Sequence, residues 1–329
     1  AGNDTVHGTD LEDDIFGGDG NDILRGFDES DVLNGGAGDD TFIIGAQSEL
    51  QTSSGSIAES ISGGSNDSSS GDTIQLGVGS SSGQTFTFNS TSNGSIGVSG
   101  IESLNFHDAS TTLVANNNFL SSLTHITTES GATSQTLQSA SGNLNLSSLS
   151  SVSSDVSDLK ATQLGSAGVT ITDSSDSNGR TLHGSSFSSD VLSGNGGNDI
   201  LVGGQGADTL TGGDGDDIFR LDANNDLTTG ETISGGSGSD TIKAGSTSLT
   251  IVDLRGSTIS SIEFLDLGSS IGASLRQTID IESSTSFDST IIQNFETGTG
   301  STTDIFDWNS TLVAGNGSTT ISTSSDVVL

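Results

Sequence analysis

Aspartate residues recur every nine positions in two parts of the chain, most of them after a glycine-rich stretch. They are Asp4, Asp13, Asp22, Asp31 and Asp40 in the first part and Asp190, Asp199, Asp208 and Asp217 in the second. Carboxylates are hard oxygen ligands, and the carbonyl groups of a glycine-rich turn are oxygen ligands as well. Because Ca²⁺ prefers a shell of such oxygens, the spacing predicts a series of calcium sites.

A glycine and a large apolar residue recur with the same nine-residue step. The glycines are Gly8, Gly17, Gly26 and Gly35, and the apolar residues, two places after each aspartate, are Val6, Ile15, Leu24, Leu33 and Phe42. Such an order predicts a turn followed by a very short strand with one side chain pointing inward. Two nonapeptides would then complete one flattened right-handed coil.

Stacked coils would bring aspartates two repeats apart onto one edge. The expected groups are Asp4 with Asp22 and Asp40, Asp13 with Asp31, Asp190 with Asp208, and Asp199 with Asp217. Carboxylates stacked about 5 Å apart repel one another strongly unless a cation lies between them. The spacing therefore predicts that the fold depends on bound cations.

Three of the nonapeptides resemble the repeat of the RTX family, whose members form calcium-binding parallel β-rolls and leave the cell by type I secretion. Their sequences are GGDGNDILR from Gly17, GGQGADTLT from Gly203 and GGDGDDIFR from Gly212. The resemblance implies that sixth-position aspartates and glycine-turn carbonyls hold several Ca²⁺ ions.

Carried onto this sequence, the resemblance names fourteen candidate ligands. The sixth-position candidates are Asp4, Asp13, Asp22, Asp31, Asp40, Asp199, Asp208 and Asp217, with Asp190 and Asp240 in more degenerate repeats. Third-position acids that could add ligands are Asp10, Asp19, Asp28 and Asp214. Leu11 and Glu29 replace a turn glycine, and the turn from Ser185 has no glycine after it before Asp190, so those sites are expected to be weaker or empty.

The two repeat blocks belong to a longer duplication. Glu59-Ser-Ile-Ser-Gly-Gly matches Glu231-Thr-Ile-Ser-Gly-Gly, and Ile101-Glu-Ser-Leu-Asn-Phe matches Ile262-Glu-Phe-Leu-Asp-Leu. We therefore expect two tandem modules: residues 1–165, with a β-roll at 1–45 and a β-rich segment at 46–165, and residues 166–329, with a β-roll at 179–222 and a β-rich segment at 223–329. The fold class is all-β, with parallel β-solenoid blocks alternating with further β-solenoid or β-sheet segments. The spacing of Leu146, Leu149, Val152, Val156 and Leu159 also leaves a short helix open.

Composition excludes several classes of partner and chemistry. The chain carries 43 Asp and Glu against 7 Lys and Arg, a net charge of −36, which argues against nucleic acid as a partner. It has no Cys, so disulfides and thiolate metal sites are excluded, and no apolar run is long enough to insert into a membrane. His-Glu-x-x-His is absent and the four histidines lack metal-ligand spacing, so we expect no enzyme.

The expected function is that of a secreted, calcium-dependent structural protein at the bacterial cell surface. The Ile-Glu-x-Leu segments resemble those of surface-layer proteins and large secreted adhesins, and the last residues, Asp326–Leu329, resemble the terminus of type I secretion substrates. The expected partners are other copies of the chain, in a surface layer, matrix or filament, with a cell-surface polysaccharide as a further candidate. Alternatives are a calcium-stabilised adhesin or binding module, or the C-terminal secretion region of an RTX enzyme.

Overall fold

The computed structural model describes most of the first two thirds of the chain and separate strands after it. The described residues are 2–51, 59–66, 71–79, 83–90, 94–161, 167–223, 226–227, 230–245, 251–253, 257–266, 278–281, 291–295, 305–308 and 320–323. The terminal segment from Asp326, to which the secretion resemblance refers, lies outside them.

The chain divides into two compact units, Ala1–Thr162 and Gln163–Leu329. The repeats had placed this boundary between residues 165 and 166. In each unit, we call one circuit of the chain through two strands and two turns a coil.

The regular secondary structure described in the first unit is almost entirely short strands. They are β1 (Thr5–His7), β2 (Asp14–Asp19), β3 (Ile23–Arg25), β4 (Val32–Ala37), β5 (Thr41–Ile44), β6 (Ser60–Ser65), β7 (Thr73–Leu76), β8 (Thr85–Thr87), β9 (Asn89–Ser90), β10 (Gly94–Ser95), β11 (Gly97–Ser99), β12 (Ser103–Phe106), β13 (Thr112–Ala115), β14 (His125–Thr128), β15 (Gln135–Ser139), β16 (Asn143–Asn145), β17 (Ser151–Val152) and β18 (Val156–Ala161). A 3₁₀ helix spans Gln47–Leu50, and helix α1 spans Asn117–Ser122.

Parallel pairing with an eighteen-residue step organises the β-roll of the first unit. Strand β1 pairs with β3, with Val6 opposite Leu24, and β2 pairs with β4, with Ile15 opposite Leu33. One sheet runs β1-β3-β5-β7-β12-β14-β17, and a second runs β11-β6-β4-β2. Strands β8, β13, β15 and β18 also pair in parallel. The prediction that two nonapeptides complete one coil is confirmed.

The second unit repeats this arrangement. Its strands are β19 (Thr170–Thr172), β20 (Thr181–His183), β21 (Val191–Gly196), β22 (Ile200–Val202), β23 (Thr209–Asp214), β24 (Ile218–Leu221), β25 (Thr232–Ser237), β26 (Thr241–Ala244), β27 (Ile251–Asp253), β28 (Thr258–Ser260), β29 (Phe264–Asp266), β30 (Thr278–Ile281), β31 (Ile291–Phe295), β32 (Ile305–Trp308) and β33 (Thr320–Thr323). One sheet runs β20-β22-β24-β26-β29-β31-β33, another β19-β21-β23-β25-β28 and a third β27-β30-β32. All of these pairs are parallel, so the all-β solenoid prediction is confirmed.

The core is a stack of apolar side chains, one or two from each strand. Leu24, Phe42 and Ile74 are buried in successive coils of the first unit, as are Leu201 and Phe219 in the second. Val6, on β1, is half-buried. Since each strand contributes so little apolar area, burial of these side chains leaves much of the fold to be stabilised by the turns.

The segment with helix-like spacing forms strands instead. Val152 lies in β17, and Val156 and Leu159 lie in β18, with all three side chains buried. Pairing of β17 with β14 and of β18 with β15, rather than local periodicity, determines the conformation of this segment. No helix among the described residues is long and apolar enough to cross a membrane.

Substitution of a core aromatic residue tests the stacking of the coils. Phe42 is 0% exposed, whereas Phe16 on strand β2 is 67% exposed. We expect Phe42→Ala to lower the free energy of unfolding by about 3–5 kcal/mol, because it leaves a cavity between coils. The matched change Phe16→Ala should cost less than about 0.5 kcal/mol. Denaturant unfolding in saturating Ca²⁺ measures both, and equal losses would contradict the register.

Candidate calcium sites

The turns place acidic side chains in rows that run from coil to coil inside the solenoid. We call the row on one edge of each unit the long row and the row on the other edge the short row. The long rows are Asp4, Asp22, Asp40, Asp72 and Glu102 in the first unit and Asp199, Asp217, Asp240 and Glu263 in the second; the short rows are Asp13, Asp31 and Glu59, and Asp190 and Asp208. The predicted grouping of aspartates on alternate edges is therefore confirmed.

One hydrogen bond repeats along every row. The backbone N–H of Asp22 donates to Oδ1 of Asp40 at 2.8 Å, and that of Asp199 donates to Oδ1 of Asp217 at 2.8 Å. Each carboxylate is thus positioned by an amide of the preceding coil. Each long row ends on a glutamate. The backbone N–H of Asp72 donates to Oε2 of Glu102, and that of Asp240 donates to Oε2 of Glu263.

The second oxygen of most row carboxylates has no hydrogen-bond partner although it is buried. These atoms are Oδ2 of Asp22, Asp31, Asp40, Asp72, Asp199, Asp208, Asp217 and Asp240. A buried carboxylate oxygen without a donor is costly, and eight of them at repeated positions are not a chance defect. They are the atoms that a bound cation would satisfy.

A carbonyl oxygen of the next coil lies beside six of the eight unpartnered carboxylate oxygens. A Cβ atom added at Gly17 would collide with Oδ2 of Asp22 and lie 2.6 Å from the carbonyl oxygen of Gly35. The same holds at Gly212, where the two oxygens belong to Asp217 and Gly235. The first glycine of each repeat therefore leaves space in which two hard oxygens converge, and this is why no other residue fits there.

Positive backbone φ angles explain the other turn glycines. Gly18 and Gly20 have φ of 108° and 121°, a region that side chains disfavour. Phe27 and Glu29 adopt φ of 77° and 75° in the next turn, so the replacement by Glu29 preserves the turn shape. The Oδ2 atom of Asp31 in that turn is still buried without a partner.

Burial raises the pKa of the row carboxyl groups. Desolvation is the largest cause, and it raises the pKa of Asp31 and Asp217 to about 6, that of Asp199 to about 7 and that of Glu59 to about 8. The backbone N–H donated by the preceding coil opposes the shift, while a nearby carboxylate such as Asp240 beside Asp217 adds to it. The metal-free rows thus hold negative charge at an energetic cost near neutral pH.

The donor set fits calcium if backbone carbonyls complete it. Among the described residues, no three acidic or histidine side chains converge as a metal cluster. Row carboxylate oxygens and turn carbonyls are all hard oxygen donors, the set that Ca²⁺ prefers over softer-ligand metals. The unpartnered Oδ2 atoms and the neighbouring carbonyl oxygens would hold the ion.

A family model for the RTX calcium-binding nonapeptide repeat matches residues 7–42, 190–227 and 228–247. The chain carries RTX calcium-binding repeats. These RTX repeats bind Ca²⁺ at several positions, and the matched residues include Asp22, Asp31, Asp199, Asp208 and Asp217 with their unpartnered oxygens. No curated protein and no solved structure matches the chain.

In two candidate ligands, Oδ2 already accepts hydrogen bonds from a residue of the same turn. Oδ2 of Asp13 accepts hydrogen bonds from the backbone N–H and the hydroxyl of Thr9, at 2.6 and 2.9 Å. Oδ2 of Asp190 accepts from the N–H and hydroxyl of Ser185 in the turn that lacks glycine. In both turns a hydroxyl group thus donates to the oxygen that has no partner in most of the other row aspartates.

The remaining candidate ligands differ in how exposed their side chains are. The predicted third-position ligands Asp10, Asp19, Asp28 and Asp214 are exposed on the turns. Asp4 is exposed as well, at the start of its row. Asp40 and Asp240 are buried members of the long rows. The rows alone thus contain the buried oxygens that need a cation.

Four acids in the rows were absent from the sequence-based set: Glu59, Asp72, Glu102 and Glu263. The duplication provided a signal, because it aligned Glu59 with Glu231 and Glu102 with Glu263. Their distance from the preceding row member departs from eighteen residues, so a fixed step could not find them. Asp40 and Asp72 are 32 residues apart in the chain and yet joined by a 2.7 Å hydrogen bond.

A second set of side-chain ladders lies on the outside of the turns. The N–H of Asn21 donates to Oδ1 of Asn3, and that of Asp39 donates to Oδ1 of Asn21. In the second unit, the N–H of Asp216 donates to Oδ1 of Asn198, and the N–H of Ser239 donates to Oδ1 of Asp216. These bonds run opposite to those of the inner rows, so each turn is held to its neighbour from both sides.

Removal of one row oxygen tests the assignment of ligands. Asp217→Asn keeps an acceptor for the N–H of Asp199 but removes the charge from the unpartnered oxygen. We expect a rise of more than about tenfold in the Ca²⁺ concentration at half-saturation. Asp214→Asn, on the same turn but exposed, is the matched control and should leave the titration unchanged. Calorimetric titration decides, and equal effects of both changes would refute the assignment.

The pKa values predict how calcium binding depends on pH. Because the pKa values of Asp31 and Asp199 are raised in the folded chain, protonation stabilises the metal-free fold below a pH of about 4, and this contribution is lost as pH rises through 6 to 7. Protons compete with Ca²⁺ for the same oxygens. The Ca²⁺ concentration at half-saturation should therefore rise as pH falls from about 7.5 to about 5.5. Titrations followed by circular dichroism measure this, and a midpoint independent of pH would contradict carboxylate ligation.

Proposed function

We propose that the protein is a secreted structural protein that folds when it meets Ca²⁺ outside the cell and then assembles with further copies of itself. The assembly would be a surface layer, a matrix or a filament at the bacterial surface. The role is structural rather than catalytic. The observation that carries this proposal is the set of eight buried carboxylate oxygens without a hydrogen-bond partner.

Electrostatics supports a switch between two states. The chain has a net charge of −36, and the rows concentrate part of this charge in the interior. Without cations the rows repel and the chain favours extended conformations, a state that suits export. Extracellular repeats bind Ca²⁺ with dissociation constants of about 10⁻⁴–10⁻³ M, so external calcium would neutralise the rows and drive folding.

The solenoid architecture supports assembly. Coils stack through backbone hydrogen bonds, and a terminal coil leaves N–H and C=O groups that a further strand could pair with. Val6 and Asp4, in the first coil, are more exposed than Leu24 and Asp22 in the next.

A calcium-stabilised binding module for a polysaccharide is a second candidate. The outer face of the sheet that contains β7, β12 and β14 carries a shallow polar depression of about 430 Å³. Gln75, Asn105, His125, Thr127 and Glu129 line it, and such amide and hydroxyl groups can form hydrogen bonds with sugar hydroxyls. This observation favours the polysaccharide as a partner of the same folded state.

Removal of calcium from the full chain tests the proposal. We expect chelator to remove most of the β-sheet signal in circular dichroism and added Ca²⁺ to restore it, because the row charges need cations to fold. Light scattering and electron microscopy of the calcium-loaded protein should show ordered polymers. A chain that stays fully folded in chelator would refute the switch. A monomer at high concentration in Ca²⁺ would refute assembly and favour the binding module.

A further inference from the structure

The turn from Asp173 to Arg180 comes before the turn of Asp199 in the long row of the second unit. It ends on a cation where the following turns end on a carboxylate. Pairing of β19 with β21 places Thr172 opposite Ser193, so Asp173 takes the position of the turn glycine Gly194. Pairing of β20 with β22 places Thr181 opposite Ile200, so Arg180 takes the position of Asp199. Where the following turns have glycine first and aspartate last, this turn has aspartate first and arginine last.

Arg180 keeps the backbone role of a row member. Its N–H donates to Oδ1 of Asp199 at 2.8 Å, as the N–H of Asp199 does to Asp217. Its carbonyl accepts from the N–H of Ile200 at 2.8 Å, the bond that Asp199 makes with Ile218. The turn therefore belongs to the same row, and only its side chains differ.

The side chain of Arg180 is a buried cation held by carboxylates of its own turn. Its Nη1 lies 3.0 Å from both oxygens of Asp173, and its Nη2 lies 3.0 Å from Oδ2 of Asp176. The side chains of Arg180 and Asp173 are both 0% exposed. Oδ2 of Asp199, Asp217 and Asp240 in the next turns has no partner. This turn thus contains the positive charge that the others lack.

We propose that the guanidinium of Arg180 takes the place of Ca²⁺ in this turn, so that the first coil of the second β-roll closes without calcium. Arginine keeps its charge at every physiological pH, and a buried carboxylate pairs with it in fixed geometry. The closed coil presents ordered edges on which the next coils pair while ions load the turns. The inference rests on the calcium switch proposed above and specifies where folding of the second unit begins.

The first unit provides an internal comparison. The corresponding position at the start of its long row holds Asp4, an exposed carboxylate that supplies no cation. The second unit should therefore order at a lower Ca²⁺ concentration than the first. In chelator, amides of β19 and β20 should keep more protection from hydrogen exchange than those of β1 and β3.

Two arginine variants of the full chain test the inference. Arg180→Met removes the buried charge but keeps an apolar stem, and Arg220→Met removes a guanidinium that forms an exposed 3.0 Å pair with Asp222. We expect Arg180→Met to raise the Ca²⁺ midpoint of the second unit several-fold and to abolish the residual protection of β19 and β20 in chelator. Arg220→Met should match the wild type. Equal behaviour of the two variants would overturn the inference.

A charge-reversing double variant separates a substitute cation from an ordinary salt bridge. Asp173→Gly with Arg180→Asp gives the turn the residue types of its neighbours. We expect one additional Ca²⁺ per chain in calorimetry and a second unit that folds only with calcium, even if Arg180→Met does not fold at all. No additional ion would overturn the inference. A wild-type chain that keeps full protection in chelator in both units would instead refute the calcium switch itself.

Discussion

Buried negative charge is the constraint on which the rest of the structure depends. The rows place carboxylates from successive coils in line, fix one oxygen of each with a backbone amide and leave the other facing a carbonyl oxygen. Each such oxygen therefore requires a hydrogen-bond donor or a positive charge in its turn. The apolar core can stay thin, with one or two side chains from each strand, because cations in the turns supply stabilisation that burial does not.

The turns meet this requirement in three chemical ways. Most leave the oxygen to Ca²⁺, the turns of Asp13 and Asp190 supply a hydroxyl from Thr9 or Ser185, and one supplies the guanidinium of Arg180. The hydroxyl and guanidinium solutions do not vary with calcium, whereas the others do. A row can therefore combine turns that close without calcium and turns that require it. Their order along the chain determines which coils form before the ion binds.

Much of the fold could be predicted from the nine-residue step alone. The step determined strand pairing, the inward residues and the edge on which each aspartate lies, because a solenoid repeats one local geometry. It could not find Asp72 or Glu102, since insertions of differing length separate them from the preceding row members. Nor could it reveal Arg180, whose role depends on the register of β19 and β20 rather than on any repeat. Strand pairing likewise overrode the helical spacing that ends at Leu159.

The turn from Gly63 to Asp72 is four residues longer than that from Gly17 to Asp22. Even so, Oδ1 of Asp72 accepts its hydrogen bond from Asp40 at 2.7 Å, and β6 and β7 keep the register of the roll. The solenoid thus fixes where a turn leaves and returns but not how much chain lies between. Loop closure costs little more for a longer segment, so such turns are suitable places for grafting foreign peptides as regularly spaced displayed epitopes.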